Sequence, residues 1–111
     1  MAEYYSLPYF DGDGNNTAQT LNVGRTHLHK IIVENPNSAT AYVQIFDALA
    51  ADVTVGTTTP DYVIPVLGNS GTVDDYIPSL RFKTGVTYAC TTTPTGNTDP
   101  TTGLVLSATY S

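Results

Sequence analysis

The chain has 111 residues, a length typical of one domain with a single hydrophobic core. Ten acidic and four basic residues give it a net charge of −6 at neutral pH. This balance argues against nucleic acid as a partner, because phosphate backbones are bound by basic surfaces, and also against an anionic membrane surface.

The N-terminal segment is rich in aromatic residues, with Tyr4, Tyr5, Tyr9 and Phe10 around Pro8. Proline has no backbone N–H to donate to a sheet, so the segment is predicted to be an edge strand or an extended arm. An apolar terminal arm is expected to be held in place, either on its own domain or on a neighbouring subunit. The sequence leaves both alternatives open.

A polar segment, residues 11–16, follows with oxygen-bearing side chains at alternate positions, as in a calcium-binding loop. The position that requires glycine in such a loop holds Asn16, and the position of the bidentate glutamate holds Asn22. We therefore predict a polar turn without a metal ion. The chain is divided accordingly into an N-terminal arm and turn, residues 1–16, and a β domain, residues 17–111.

Cys90 is the only cysteine, so no intrachain disulfide can form. Secreted domains of this size usually contain several disulfides, and the first residues lack the basic and apolar regions of a signal peptide. We therefore expect synthesis in a reducing compartment. Cys90 is expected to be a buried thiol within an apolar strand.

Two apolar runs typical of β-strands, residues 28–34 and 40–48, flank the segment Asn35-Pro36-Asn37-Ser38. Proline fixes φ, and asparagine and serine side chains can bond to nearby backbone, so this segment is predicted to be a turn. We interpret the two runs as the central hairpin of an antiparallel sheet. A helical turn or connector and a third strand, residues 62–67, are predicted to follow.

The run at residues 40–48 carries large apolar groups on both faces, whereas a strand with one face in water alternates apolar and polar residues. Val43 and Ile45 share one face, and Tyr42, Gln44 and Phe46 share the other. We predict that one face fills the core and that the other is covered, partly by another subunit. The candidate interface combines the N-terminal aromatic residues with the second face of this strand: Tyr4, Tyr5, Tyr9, Phe10, Tyr42, Gln44 and Phe46.

The remaining chain consists of short runs rich in threonine, valine and tyrosine, separated by turns that contain glycine and proline. Leu80 and Phe82 are predicted to face inward and Arg81 and Lys83 outward, and alternate residues from Leu104 onward share one face. About eight short strands predict an all-β fold, a single-domain antiparallel β-sandwich or small barrel.

No catalytic, cofactor-binding or metal-binding pattern is recognisable. His27 and His29 share a strand face, but zinc requires three or four ligands and no cysteine is near them in sequence. Asp74 and Asp75 are adjacent on a strand and point to opposite faces, so they cannot flank a substrate as paired catalytic carboxylates do. We therefore predict a protein that is not an enzyme and that needs no cofactor.

From Leu28 to the C-terminus, several motifs occur in a recognisable order. They are the Asn35-Pro36 turn, YVQIFDA, VTVGTTTP, IPV, RFKTG, a threonine-rich strand and a terminal strand ending in Tyr110. This order resembles small virion proteins of tailed bacteriophages, including cyanophages. The resemblance implies a β-sandwich of jelly-roll type and a capsid cement or decoration protein that binds the outer capsid surface.

The same resemblance implies two partners, namely further copies of the chain, as a homotrimer, and the major capsid protein. The expected location is the virion, after synthesis in the host cytoplasm. Two alternatives remain open. One is a component of the tail, baseplate or fibre attachment, and the other is a carbohydrate-binding module, because the tyrosine side chains could stack on sugar rings.

Overall fold

The computed structural model describes residues 6–111, so Tyr4 and Tyr5 of the candidate interface lie outside the described residues. The described chain is built from strands and one 3₁₀ turn, Ala50–Asp52. The strands are β1 (Leu7–Gly14), β2 (Gln19–Val23), β3 (Thr26–Asn35), β4 (Ala41–Asp47), β5 (Tyr62–Val66), β6 (Ser70–Phe82), β7 (Gly85–Thr91) and β8 (Leu104–Tyr110). No helix within this part of the chain is long and apolar enough to cross a membrane.

The eight strands form two packed antiparallel sheets. Sheet A has the order β1-β8-β3-β6, and sheet B has the order β2-β7-β4-β5. The neighbouring pairs are nested, with β1 beside β8, β2 beside β7, β3 beside β6 and β4 beside β5. This is the arrangement of a jelly roll, in which one long antiparallel hairpin is folded across two sheets. The predicted all-β, eight-stranded sandwich of jelly-roll type is confirmed.

The predicted central hairpin is wrong in its pairing. β3 pairs with β6 and β8 in sheet A, whereas β4 pairs with β5 and β7 in sheet B. The turn after β3 therefore carries the chain from one sheet to the other. The physical reason is that the inward residues of both runs, such as Val33 and Val43, are fully buried and face each other across one core.

Asn35 holds this crossover together. Its Nδ2 donates to the backbone oxygens of Ala39, at 2.9 Å, and Val66, at 3.0 Å. Its Oδ1 accepts from the backbone N–H and the side-chain Nδ2 of Asn37. One buried amide thus joins the end of β3 to the crossover and to the end of β5.

The core lies between the two sheets and is filled by alternate, inward-facing residues of the strands of both sheets. The inward orientation predicted for Phe82 and for the alternate residues of β8 is confirmed, and so is the burial of Cys90. The main buried residues are Leu28, Ile31, Val33, Leu104, Leu106 and Ala108 from sheet A and Ala41, Val43, Ile45, Ile64, Val66, Val86, Tyr88 and Cys90 from sheet B.

The N-terminal segment is an edge strand of its own domain. β1 pairs antiparallel with β8 from Leu7, opposite Tyr110, to Gly14, opposite Leu104. The sandwich therefore starts at Leu7 within the described residues, ten residues before the boundary predicted at residue 17. The predicted polar turn also starts later than expected, because Asp11 continues β1 and the ladder is irregular between Asp11 and Gly14.

The Asn35 amide yields the first prediction. Replacing Asn35 by alanine removes the donor to the backbone oxygens of Ala39 and Val66, the second in a buried hydrogen bond, and the acceptor of two hydrogen bonds from Asn37, and we expect the free energy of unfolding to fall by about 2–4 kcal/mol. Chemical denaturation followed by circular dichroism measures this loss. The matched control is Asn97→Ala, because Asn97 is exposed and its side chain makes no hydrogen bond within residues 6–111. An equal effect of the two variants would contradict the role assigned to Asn35.

Candidate interaction surface

The residues of the candidate interface that the structure describes lie in three separate places. Gln44 and Phe46 are 0% and 1% exposed. Tyr9 and Tyr42 are half-buried, and Phe10 is 68% exposed. Gln44 and Phe46 are therefore interior residues of the single chain, and they do not form a surface with the N-terminal aromatic residues.

The outer face of sheet B is covered at Gln44 by the connection between β7 and β8. Gln44 Nε2 donates to Thr91 Oγ1, at 2.8 Å, and to the backbone oxygen of Gly96, at 2.9 Å. Its Oε1 is buried and accepts no hydrogen bond from the described residues. The backbone N–H of Asn16 donates to Asp99 Oδ1, and Asn16 Nδ2 donates to the backbone oxygen of Asn97, so the connection is also fixed to the end of β1.

The connection between β4 and β5 covers the same face near Phe46. Phe46 lies opposite Thr87 of β7, and the Thr87 hydroxyl donates to the backbone oxygen of Ala48 at 2.7 Å. The backbone N–H of Ala50 donates to Thr20 Oγ1 on the neighbouring strand β2. β4 is thus covered on both sides by its own chain, which accounts for the apolar groups on both of its faces.

Tyr9 joins the two sheets rather than a second subunit. Its hydroxyl lies 2.6 Å from the Tyr88 hydroxyl, and the two rings meet edge to face with centroids 5.8 Å apart. The Tyr88 hydroxyl donates to Asp11 Oδ2 at 2.5 Å. Burial, followed by the hydrogen bonds with Asp11 and Tyr9, raises the pKa of Tyr88 far above its usual range. Tyr88 therefore stays a neutral donor and ties β1 to β7.

The two histidines contact serine side chains. His27 Nδ1 lies 3.1 Å from Ser79 Oγ, and His29 Nε2 lies 2.8 Å from Ser111 Oγ. Their rings are stacked with centroids 6.5 Å apart. Between residues 6 and 111, no three or more histidine, cysteine, aspartate or glutamate side chains are grouped so that they could hold a metal ion.

The adjacent carboxylates of β6 are engaged by different neighbours. Asp74 accepts from the Thr72 and Tyr76 hydroxyls, each at 3.4 Å. Asp75 Oδ1 lies 3.5 Å from Lys30 Nζ in a salt bridge. Burial, followed by the nearby Asp74 charge, raises the pKa of Tyr76 far above its usual range, so this tyrosine remains a hydrogen-bond donor.

The outer face of sheet A carries a row of outward residues that crosses all four strands and is exposed on three of them. Phe10 lies opposite Ser107, Ser107 opposite Ile32, and Ile32 opposite Val73. Directly opposed residues in an antiparallel sheet share a face, so their side chains are neighbours. Phe10, Ile32 and Val73 are 68%, 37% and 58% exposed. We call this set, Phe10, Ser107, Ile32 and Val73, the apolar row.

Polar residues border the apolar row on both sides. Two residues before Ile32 in β3, Lys30 pairs with Asp75 of β6. Two residues after Ile32, Glu34 lies opposite Gly71 of β6. Sequence reasoning found Phe10 and missed the rest of the row. The available signal was Ile32, an apolar residue at an outward position between Lys30 and Glu34, but it is hidden in the continuous apolar run Ile31–Val33 of β3.

The interior position of Phe46 yields a prediction. Phe46→Ala creates a cavity beneath the connection that covers sheet B, and we expect it to lower the free energy of unfolding by about 3–5 kcal/mol. Chemical denaturation and light scattering together measure stability and association. Tyr42→Ala, at a half-buried position of the same face, is the control and should cost less. Dissociation of an oligomer by Phe46→Ala at unchanged stability would contradict the interior assignment.

The buried Cys90 thiol yields a prediction about reactivity. Burial, followed by the carboxylates of Asp11 and Asp99, raises the pKa of Cys90 to about 12. Gly14 packs so closely that a Cβ atom there would lie 2.8 Å from Cys90 Sγ. Thiol reagents attack the thiolate, so at pH 8 we expect the native protein to react at least roughly 100-fold more slowly than the denatured chain. Labelling of both forms at a similar rate would contradict this.

Comparison of the chain with protein-family models, with curated proteins and with solved structures found no match. The fold and the surfaces described above are therefore the basis for a functional proposal, together with the motif order of the sequence.

Proposed function

We propose that this chain is a non-enzymatic structural protein of a tailed-bacteriophage virion. In this proposal it is made in the host cytoplasm, forms a homotrimer and binds the major capsid protein on the outer capsid surface as a cement or decoration protein. The motif order from Leu28 onward supports the virion class, and the outer face of sheet A supports a role in protein binding.

The single observation that carries the binding role is the difference between the two outer faces of the sandwich. The outer face of sheet B is covered at Gln44 and Phe46 by connections of its own chain, whereas Phe10, Ile32 and Val73 of sheet A are exposed. Exposed apolar side chains grouped on one face, here Ile32 beside Val73 with Phe10 beyond Ser107, are typical of places where another protein binds. Covering the exposed two-thirds of Phe10 alone removes about 130 Å² from water and contributes about 3 kcal/mol.

The shape of sheet A suits a broad protein contact. Four strands spaced about 4.8 Å apart give a width of about 19 Å, and a strand of about ten residues gives a length of about 33 Å. The face thus offers about 600 Å² to a partner, close to the roughly 800 Å² per partner of a standard interface.

The non-enzymatic assignment is supported by how the chemically capable side chains are used. His27 and His29 contact serine hydroxyls, Asp74 accepts from Thr72 and Tyr76, and Tyr88 donates to Asp11. Each of these groups thus has a hydrogen-bonding partner in its own chain. The histidines lie on β3, Asp74 on β6 and Tyr88 on β7.

Quantitative mass spectrometry of purified virions, and of separated heads and tails, tests the location. We expect the chain in heads at high copy number. Recovery with tails at low copy number would contradict the cement role and favour the tail or fibre alternative. Absence from virions, together with binding of the purified protein to a polysaccharide, would favour the carbohydrate-binding alternative.

A variant pair tests the surface. Val73→Asp places a charge at the β6 end of the apolar row, beside Ile32, and we expect its affinity for capsids that lack the protein to fall at least about tenfold, which corresponds to about 1.4 kcal/mol. Leu67→Asp, at an exposed apolar position after β5 in sheet B, is the control and should bind like the wild type. Equal binding by the two variants would contradict the use of sheet A.

A further inference from the structure

Three of the four basic residues of this acidic chain line one cleft. Arg25 lies in the turn before β3, Arg81 near the end of β6 and Lys83 in the turn after it. The cleft has a volume of about 320 Å³ and is also lined by His27 and Asp47. His27 and Arg81 are cross-strand partners, so the cleft lies at one end of the sandwich.

The cationic groups of this cleft have no salt bridge within the described chain. Lys30 and Asp75 form the sole salt bridge found among residues 6–111. Arg25, Arg81 and Lys83 are all exposed, so their charges face solvent. A cleft with three such charges is suited to binding a carboxylate group, because arginine presents two parallel N–H donors to it.

Asp47, the acidic residue of the cleft, is held by backbone donors. Its carboxylate accepts from the backbone N–H groups of Lys83, Thr84 and Gly85 at 3.1, 2.8 and 3.4 Å. Burial acts to raise the pKa of Asp47, but these three donors, together with the nearby Lys83 charge, outweigh it and hold the pKa below its usual value. Asp61 accepts from the backbone N–H of Asp47 and does not line the cleft.

The opposite end of the sandwich is acidic. β3 runs from the cleft to Glu34, about 23 Å away at 3.3 Å per residue. The end of β1 brings Asp11 and Asp13 to the same end, and the hydrogen bond from Asn16 brings Asp99 there. None of the four basic residues lies at this end, which we call the acidic end.

We infer that the cleft of one copy binds the carboxylates at the acidic end of a second copy, with Arg81 and Glu34 at the centre of the contact. Glu34 fits this role because it is exposed and its carboxylate accepts no hydrogen bond within the described residues. The occupant is a second copy because the charges of the two ends are complementary.

A contact between different ends of identical chains is heterologous, and such contacts form closed rings or open filaments. A ring of three copies is one closed solution. The inference therefore rests on the self-association contained in the proposed function, and it uses Glu34, which borders the apolar row, rather than the row itself.

Sedimentation of the purified full chain tests the inference. Charges between exposed groups are screened over about 30 Å at 0.01 M salt and about 3 Å at 1 M. We expect self-association to weaken at least tenfold between these conditions. Arg81→Glu should weaken it at least tenfold at low salt, whereas Lys30→Glu, with the same change in net charge on the face of sheet A, should leave it nearly unchanged.

The charge-swapped double variant Arg81→Glu/Glu34→Lys should restore association, because each contact again joins opposite charges. Failure of this rescue, an equal effect of Lys30→Glu, or a monomer under all conditions would overturn the inference. Capsid binding by the same proteins separates the two proposals. Variants that bind capsids normally but show no charge-dependent association would leave the virion role intact and remove only the contact between copies.

Discussion

The jelly-roll arrangement depends on the crossover that leaves β3 at Asn35. A hairpin at this turn would put the two central apolar runs side by side in one sheet instead of on opposite sides of the core. The buried Asn35 amide instead satisfies the backbone oxygens of Ala39 and Val66, which belong to the crossover and to sheet B. Since buried carbonyl groups without donors are costly, this amide stabilises the arrangement in which β3 and β4 face each other across the core.

The sequence patterns were sufficient to predict the β-strands but not to predict which strands pair with one another. Alternation placed Phe82 and the apolar residues of β8 inward, and threonine-rich runs between turns indicated an all-β sandwich. The turn residues Asn35-Pro36 fit a hairpin and a crossover equally well, because both require a reversal of direction. What distinguishes them is a long-range hydrogen bond to Val66, 31 residues away, which no local pattern encodes.

Strand β4, which carries apolar residues on both faces, shows that local sequence also fails to predict the long-range contacts of the candidate site. Its apolar residues on both faces correctly indicated that both faces are covered, but the identity of the cover depends on connections distant in sequence. Gln44 contacts Gly96, 52 residues away, and the Thr87 hydroxyl that fixes Ala48 lies on β7. The connections that cover β4 are polar loops, and they contact the sheet mainly through hydrogen bonds. Their sequences therefore do not indicate that they cover a strand.

Connections cover part of the outer face of sheet B, whereas the outer face of sheet A presents the exposed side chains of the apolar row. The apolar row of sheet A faces perpendicular to the strands, whereas the cleft at Arg81 and the acidic end at Glu34 lie at opposite ends of the strands. The proposed contact between copies therefore uses charged residues at the two strand ends, of which Glu34 borders the apolar row. With charged residues at the strand ends and the apolar row between them, the proposed contact between copies and the proposed contact with a capsid protein would both involve sheet A, and the two would meet at Glu34.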